Sequence, residues 1–507
     1  MARSAFKTYA NEHGGRVLLL FLLFFLAIYK FVTAGFAPFA IICALPLLVL
    51  AVIVTFRYQM LIFWAMIVIN YLVMWHGGPV PSGIPSSLYN EMFEIILIAF
   101  LVIDVKDTKY ERLGNLMFLS LIIWCTFCTL EVLNDTCGLG INVGAWYQGV
   151  RLMAFQLIYA FIVFTLYIYK PKILIKYLCL WGALALFASI WVWKQKNIGF
   201  THAEESWLHG AGSRTHIIAG GTLIRYFSIY SDAANFGIGI ASTAVAFIIF
   251  GITAKIRKFK IFFLIVGFAC AWAMFPSGTR TAIFCFIAGF MTYIFLSKSF
   301  KIAIPVSIVF AIFVFILAFT KIGNGNQQIR RMRSAFDKND ASANARSINQ
   351  ETMRKYMKEA PWGIGIGRFG TNVPANNKYN LMSTIPPDSE YVFIWLRTGQ
   401  IGITLFLITT AIMLFGACWI VFFTLKSSSL RGIGAGMCCA FVSQQLGGYG
   451  NLVLMQFPNC LTFYGGLAIV YILPHIEKEW IEYENKQLAI QEEKKRLKLE
   501  KKRASRV

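Results

Sequence analysis

Charge is scarce in this sequence, and acidic charge scarcest: 14% of its 507 residues are charged, and 24 Asp and Glu face 47 Lys and Arg. With 58% hydrophobic and 16% aromatic residues, the chain carries more apolar surface than a soluble core can hide, so an ordinary soluble globular protein is excluded. No G-x-x-x-x-G-K-[ST] phosphate loop occurs, so ATP is not an evident energy source. The segment Gly365-Ile366-Gly367-Arg368-Phe369-Gly370 matches G-x-G-x-x-G only formally, because no strand precedes it and no βαβ unit surrounds it. Tight turns are the natural role for those glycines. The 11 cysteines lie mostly inside apolar runs without paired spacing, which argues against a disulfide frame or a cysteine metal site. His202, His209 and His216 recur every seven residues rather than at i, i+4, so they read as hydrogen-bonded structure, and no metal or other cofactor is expected.

What the sequence does contain is one bilayer-length apolar run after another. Runs of about 20 residues fall near 17–36, 37–56, 59–75, 91–104, 113–133, 149–169, 173–194, 235–254, 259–275, 281–297, 302–320, 400–424, 431–448 and 458–474. The expected fold is an all-α polytopic membrane protein of about 12–14 transmembrane helices. Arg3, Lys7 and Arg16 before the first run, and a V-T-A triplet at 32–34, resemble a signal sequence, but the run is long enough to stay as a span. Lys and Arg concentrate in the short loops: Lys106 with Lys109; Lys170, Lys172 and Lys176; Lys255 to Lys260; Lys298 with Lys301; and Lys426 with Arg431. By the positive-inside rule these loops and both termini are cytoplasmic, which puts two large polar loops, 195–234 and 322–390, on the opposite face. The net charge of +23 follows from that bias together with the tail 476–507, where Glu and Lys/Arg alternate at helical spacing. The tail reads as a charged cytoplasmic helix near anionic lipid headgroups, not as a nucleic-acid site.

Within the spans, Glu91 and Glu94 open one run and either face a polar cavity or, preferably, sit at headgroup level. The first large loop ends in Arg225, Asp232 and Asn235, directly before a span. The tight link Pro276-Ser277-Gly278-Thr279-Arg280 joins two spans, so backbone amides at the following helix start and Arg280 would together form an anion site. The second large loop holds Arg330, Arg331, Arg333, Arg346, Arg354 and Arg368. Between Ala345 and Ala360, the residues Ile348, Met353, Tyr356 and Met357 share a helical face, which predicts an amphipathic helix lying on the membrane or capping the bundle.

Three features occur in order: R-x-F-x-x-x-S-D-x-x-N from Arg225 to Asn235, S-G-T-R-T-A from Ser277 to Ala282, and a loop running into Pro387-Asp388-Ser389-Glu390-Tyr391 and Leu396-Arg397-Thr398-Gly399-Gln400-Ile401-Gly402. With Arg346 and the segment Trp362 to Gly367, these resemble the O-antigen ligase and polymerase family over roughly residues 220–425. The resemblance implies a metal-independent glycosyltransferase in the bacterial inner membrane, with its active site facing the periplasm. Its donor would be a glycan on a polyprenyl (undecaprenyl) diphosphate, and its acceptor another lipid-linked repeat or lipid A core. The chain then divides into N-terminal membrane helices (1–194), a ligase/polymerase-like catalytic membrane region (195–475) and the tail (476–507). Arg225, Arg280 and Arg346 are implied around the donor diphosphate. One departure stands out: ligases of the family carry Pro-His-Asn where this chain has Pro387-Asp388-Ser389, which favours polymerase over ligase.

Transfer from a sugar diphosphate needs cations where leaving-group charge develops, and a base for the acceptor hydroxyl. Arginine, always charged and fork-shaped, suits the first task. Asp388, with Glu390 second, suits the other. Asp388 has an equal alternative as a helix N-cap, and Glu390 as the ion-pair partner of Arg397. The rival from another class is a polysaccharide or lipid transporter, which predicts internal repeats and charges near span midpoints. No clear repeat is seen.

Overall fold

The computed structural model describes residues 14–34, 57–80, 85–104, 108–218, 223–298, 300–322, 325, 327–333 and 341–504. The apolar run at 37–56 lies outside them, as does Arg3 of the signal-like start. The chain forms two compact units, residues 1–64 and 65–507.

The helices follow the apolar runs. In chain order they are α1 (Gly14–Ala34), α2 (Gln59–Leu72), α3 (Ser86–Ile103), α4 (Leu116–Leu130), α5 (Val143–Val150), α6 (Gln156–Tyr167) and α7 (Pro171–Asn197). The first large loop holds short helices α8 (His202–His209) and α9 (Ser213–His216) and a hairpin, β1 (Ile217–Ile218) with β2 (Leu223–Ile224). Then come α10 (Ala233–Thr253), α11 (Arg257–Ala273), α12 (Arg280–Leu296) and α13 (Phe300–Phe319). The second large loop contains α14 (Gln327–Arg333), α15 (Ala341–Met357) and α16 (Asn380–Thr384), and the chain finishes with α17 (Glu390–Trp419), α18 (Ser428–Gly450) and α19 (Asn459–Ala504). Every apolar run among the described residues coincides with a helix, and six of the resulting helical segments are long and apolar enough to cross a membrane. This is an all-α multi-pass membrane protein, as the hydropathy predicts.

Polar residues at the run ends set the boundaries. Asn115 accepts from the amides of Met117 and Phe118 to start α4, Asn142 caps α5, Asp232 caps α10 and Ser427 caps α18, each supplying an acceptor to the free N–H donors of a helix start. Thr201 and Glu204 form a reciprocal capping box on α8. The core of the second unit is α10, whose Gly- and Ala-rich sequence is buried on all sides against α11, α12 and α18. Small side chains allow that close approach where the hydrophobic effect between helices is weak. Around it, α18 packs on α17 and α19, α19 on α6, and α17 on α4.

Two features refine the expectations. Glu91 and Glu94 are both buried within the protein and partnered there: Glu91 pairs with Arg151 at 3.2 Å and accepts from Tyr147, and Glu94 accepts from Gln156. The tail is a continuation of α19, docked through Glu477 on the amides of Lys426 and Ser427, Trp480 on Ser429, and Glu484 on Lys255.

Candidate active site

The tight link between α11 and α12 is built from its own polar side chains. Ser277 Oγ donates to Met274 O (2.6 Å) and accepts the amide of Thr279 (3.1 Å), while Gly278 takes a positive φ of 57°. Thr279 occupies the N-cap position of α12 without capping it, because its hydroxyl donates to Ala233 O (2.7 Å) instead. The helix start is thus tied to the start of α10, and Arg280, half-buried, is the first helical residue. Arg225 straps this turn from the side: Nε donates to Ser277 O (3.3 Å), Nη2 to Thr279 Oγ1 (3.0 Å) and Nη1 to Thr215 O (2.9 Å). Arg331 of α14 donates from Nε to Gly278 O at 2.9 Å. Arg225, Arg280 and Arg331 therefore converge on a single turn at an uncapped helix start, where amides and the helix dipole add to the positive potential. Sequence reading had included Arg331 in the basic loop without giving it a role; only the fold carries α14 back onto Gly278.

The other motif residues before α10 are structural. Asp232 Oδ1 accepts the amides of Ala234 and Asn235. Asn235 Nδ2 donates to Phe457 O (2.8 Å), and Asn459 returns a bond to Asn235 O (3.1 Å), which stitches α10 to the segment before α19. His216 completes the clasp. Its Nε2 accepts the amide of Ala233 (2.9 Å), so the ring proton sits on Nδ1, which faces Gly212 O at 3.1 Å. Burial, then the nearby Arg225 charge, lowers its pKa from 6.5 to about 4. Between those values the unfolded segment binds a proton that the folded one refuses, so stability rises with pH across the window and falls on acidification. We expect the clasp to lose about 2 kcal/mol between pH 7.5 and 5. Thermal melts across that range would show it, with the slope flattened in His216→Gln. The neighbouring His76, stacked on Trp207, is shifted in the same direction by burial.

Asp388 lies two residues before α17. It has a positive φ of 52°, a conformation that costs a non-glycine residue strain and clusters at functional sites. It does not cap α17: Ser389 is the N-cap residue, and its hydroxyl donates to Gly448 O (3.1 Å). A few residues on, Asn451 Nδ2 donates to Thr281 Oγ1 (3.3 Å). The short stretch Gly448 to Asn451 therefore separates the Asp388 corner from the Arg280 corner. Glu390 is 3% exposed, and its carboxylate accepts the amide of Leu454 (3.0 Å) as well as those of Val453 and Met455. It holds the loop after α18 and makes no ion pair with Arg397.

The glycine-rich segment wraps a break in α17. Gly399 has φ 67° and ψ −168°, and the carbonyls released there are recovered by the loop: Leu396 O accepts from Ile364 (2.9 Å) and Arg397 O from Gly365 (3.0 Å). Loop 134–142 grips the same segment through Asn134 on Trp362 O (2.8 Å) and Arg368 on Asp135 (3.9 Å). Above it, α15 buries Met353 and Met357, with Tyr356 partly buried, against Ile364, Met382 and Leu396, so it caps the bundle; Ile348 is not part of that face and is 66% exposed. Arg346 is on α15, but its side chain lies outside the described residues.

Residues 265–407 match the family model described as O-antigen ligase, a segment that runs from within α11 to beyond the Gly399 break and contains Arg280, Arg331, Arg346, Asp388, Glu390 and Arg397. Arg225 lies outside it. No curated protein matches the chain.

Proposed function

We propose that this multi-pass membrane protein, whose residues 265–407 match the O-antigen ligase family model, acts in surface polysaccharide biosynthesis and transfers or polymerises glycan repeats from a polyprenyl diphosphate carrier. The observation that carries the reading is the convergence of Arg225, Arg280 and Arg331 on the turn at the start of α12, with Asp388 across Gly448 to Asn451. The acceptor hydroxyl oxygen bonds to the anomeric carbon as the carbon–oxygen bond to the diphosphate breaks. The electron pair leaves with the polyprenyl diphosphate, and the hydroxyl proton passes to Asp388. Arg280 and the α12 amides meet the developing negative charge, while Arg225 both positions the turn and adds to its positive potential. The energy comes from the sugar–diphosphate bond, which fits a chain with no phosphate loop. Both termini are assigned to the cytoplasm of an inner membrane and the site to the periplasmic face, from the distribution of Lys and Arg.

Purified protein in lipid, supplied with a polyprenyl-diphosphate-linked repeat, is expected to release carrier and build a product ladder. Transfer only after lipid A core is added would identify a ligase, and silence with both acceptors would overturn the reading. Asp388→Asn keeps the shape but removes the base, so we expect a loss of about 10²- to 10⁴-fold in turnover. Unchanged turnover in that variant would assign the base elsewhere.

A further inference from the structure

One buried cation has no part in the transfer scheme. Arg397 is on the last turn of α17 before the Gly399 break and is only 5% exposed. Its Nε and Nη1 are buried and have no hydrogen-bond partner. Its contacts are aromatic: the guanidinium carbon lies 5.4 Å from the Phe369 ring centroid and 5.2 Å from that of Phe393. Glu390, the acid on the same helix, is seven residues and about 10 Å away along the axis, with its carboxylate committed to the 453–455 amides. Arg368 and Arg397 both act on the Cys137 thiol, so a second guanidinium is close, but Arg368 has partners of its own in Asp135 and Gly140 O.

An unpaired buried charge is among the costliest arrangements a fold can hold, and contact with two phenylalanine faces offsets it only in part. Packing alone does not call for it, since a methionine fills a slot between aromatic rings as well. Phe369 is 37% exposed, so the slot it closes borders the surface. The position is bordered by loop 361–370, whose Gly365 amide donates to Arg397 O and which loop 134–142 grips in turn.

We infer that Arg397, set between Phe369 and Phe393, anchors a second oxyanion site, taking a carboxylate or phosphate group through its unpartnered N–H donors. The group comes either from an acidic sugar of the glycan or from a phospholipid headgroup. Only the glycan source rests on the proposed function.

The test is the melting temperature of the full-length protein in phosphatidylcholine nanodiscs, alone, with glucuronate, with inorganic pyrophosphate, or with phosphatidylglycerol exchanged into the disc. At least one probe should raise Tm by a few degrees in wild type and in Arg225→Met but not in Arg397→Met, and Arg397→Met alone should melt higher than wild type because the unpaired charge is gone. Arg397→Lys keeps the charge without the fork and should show a reduced shift. Glucuronate as the effective probe identifies an acidic sugar, and pyrophosphate or phosphatidylglycerol identifies the phosphate of a headgroup. No Arg397-dependent shift with any probe, or a lower ligand-free Tm in Arg397→Met, would overturn the inference in favour of a packing role. Because the readout needs no turnover, a chain inactive in glycan transfer can still pass this test.

Discussion

Arg280→Ala is expected to slow release of the polyprenyl diphosphate carrier by about 10²- to 10³-fold, the size of effect seen when one preorganised donor is taken from developing charge. Arg280 is the first residue of α12, and the Thr279 hydroxyl that would have capped the helix is turned toward Ala233 O. The guanidinium is carried by the residue that opens the helix, so the variant removes that charge and leaves the helix amides in place. Arg280→Lys restores the charge but not the planar fork, so partial recovery is expected. Because Arg280 is half-buried at a helix end, melting should move little while turnover collapses. Carrier release and a thermal melt on the same preparation separate the two. Equal release from wild type and Arg280→Ala would remove the turn from the chemistry.

The helices were legible because a bilayer imposes a rule that sequence obeys directly: apolar runs long enough to span must fold on their own hydrogen bonds. The amphipathic signal at Met353, Tyr356 and Met357 was legible for the same reason, since a helical period marks a buried face. The turn at Ser277 to Arg280 stood out through its glycine, its hydroxyls and its arginine between two apolar runs. What stayed hidden was long-range. Nothing near Arg331 says that its guanidinium reaches Gly278 O, 53 residues away. Glu390 reads as a possible base because it is a carboxylate two residues from Asp388, yet the amides that occupy it belong to a loop 64 residues downstream. Arg397 read as an ion-pair partner by helical spacing, but its environment is set by Phe369 on the other side of a loop. Hydropathy also could not show that the apolar run from 400 begins at a break, because that depends on which backbone the glycine meets.

At the break itself the effect of one methyl group should be large. Gly399 has φ 67° and ψ −168°, a region open to glycine alone. A Cβ there would lie 1.9 Å from Pro361 O, with the facing loop segment fixed by Gly363 at φ 79°, where a Cβ would meet Arg397 O at 2.4 Å. Neither backbone has room to give, because Ile364 and Gly365 amides are bonded to Leu396 and Arg397 carbonyls. Gly399→Ala is therefore expected to cost on the order of 4 kcal/mol or more, the range reserved for substitutions that break a strained, packed backbone. Loop 361–370 should detach and become accessible to protease. Gly140→Ala provides the contrast: it also has a positive φ, 74°, but nothing lies within 4 Å of its added Cβ, so strain alone predicts about 1 kcal/mol. Equal melting temperatures and equal protease resistance in the two variants would mean that the Gly363 to Gly399 contact does not hold the loop. A large drop confined to Gly399→Ala, with turnover lost in parallel, would tie the shape of the site to a backbone approach that only a pair of glycines permits.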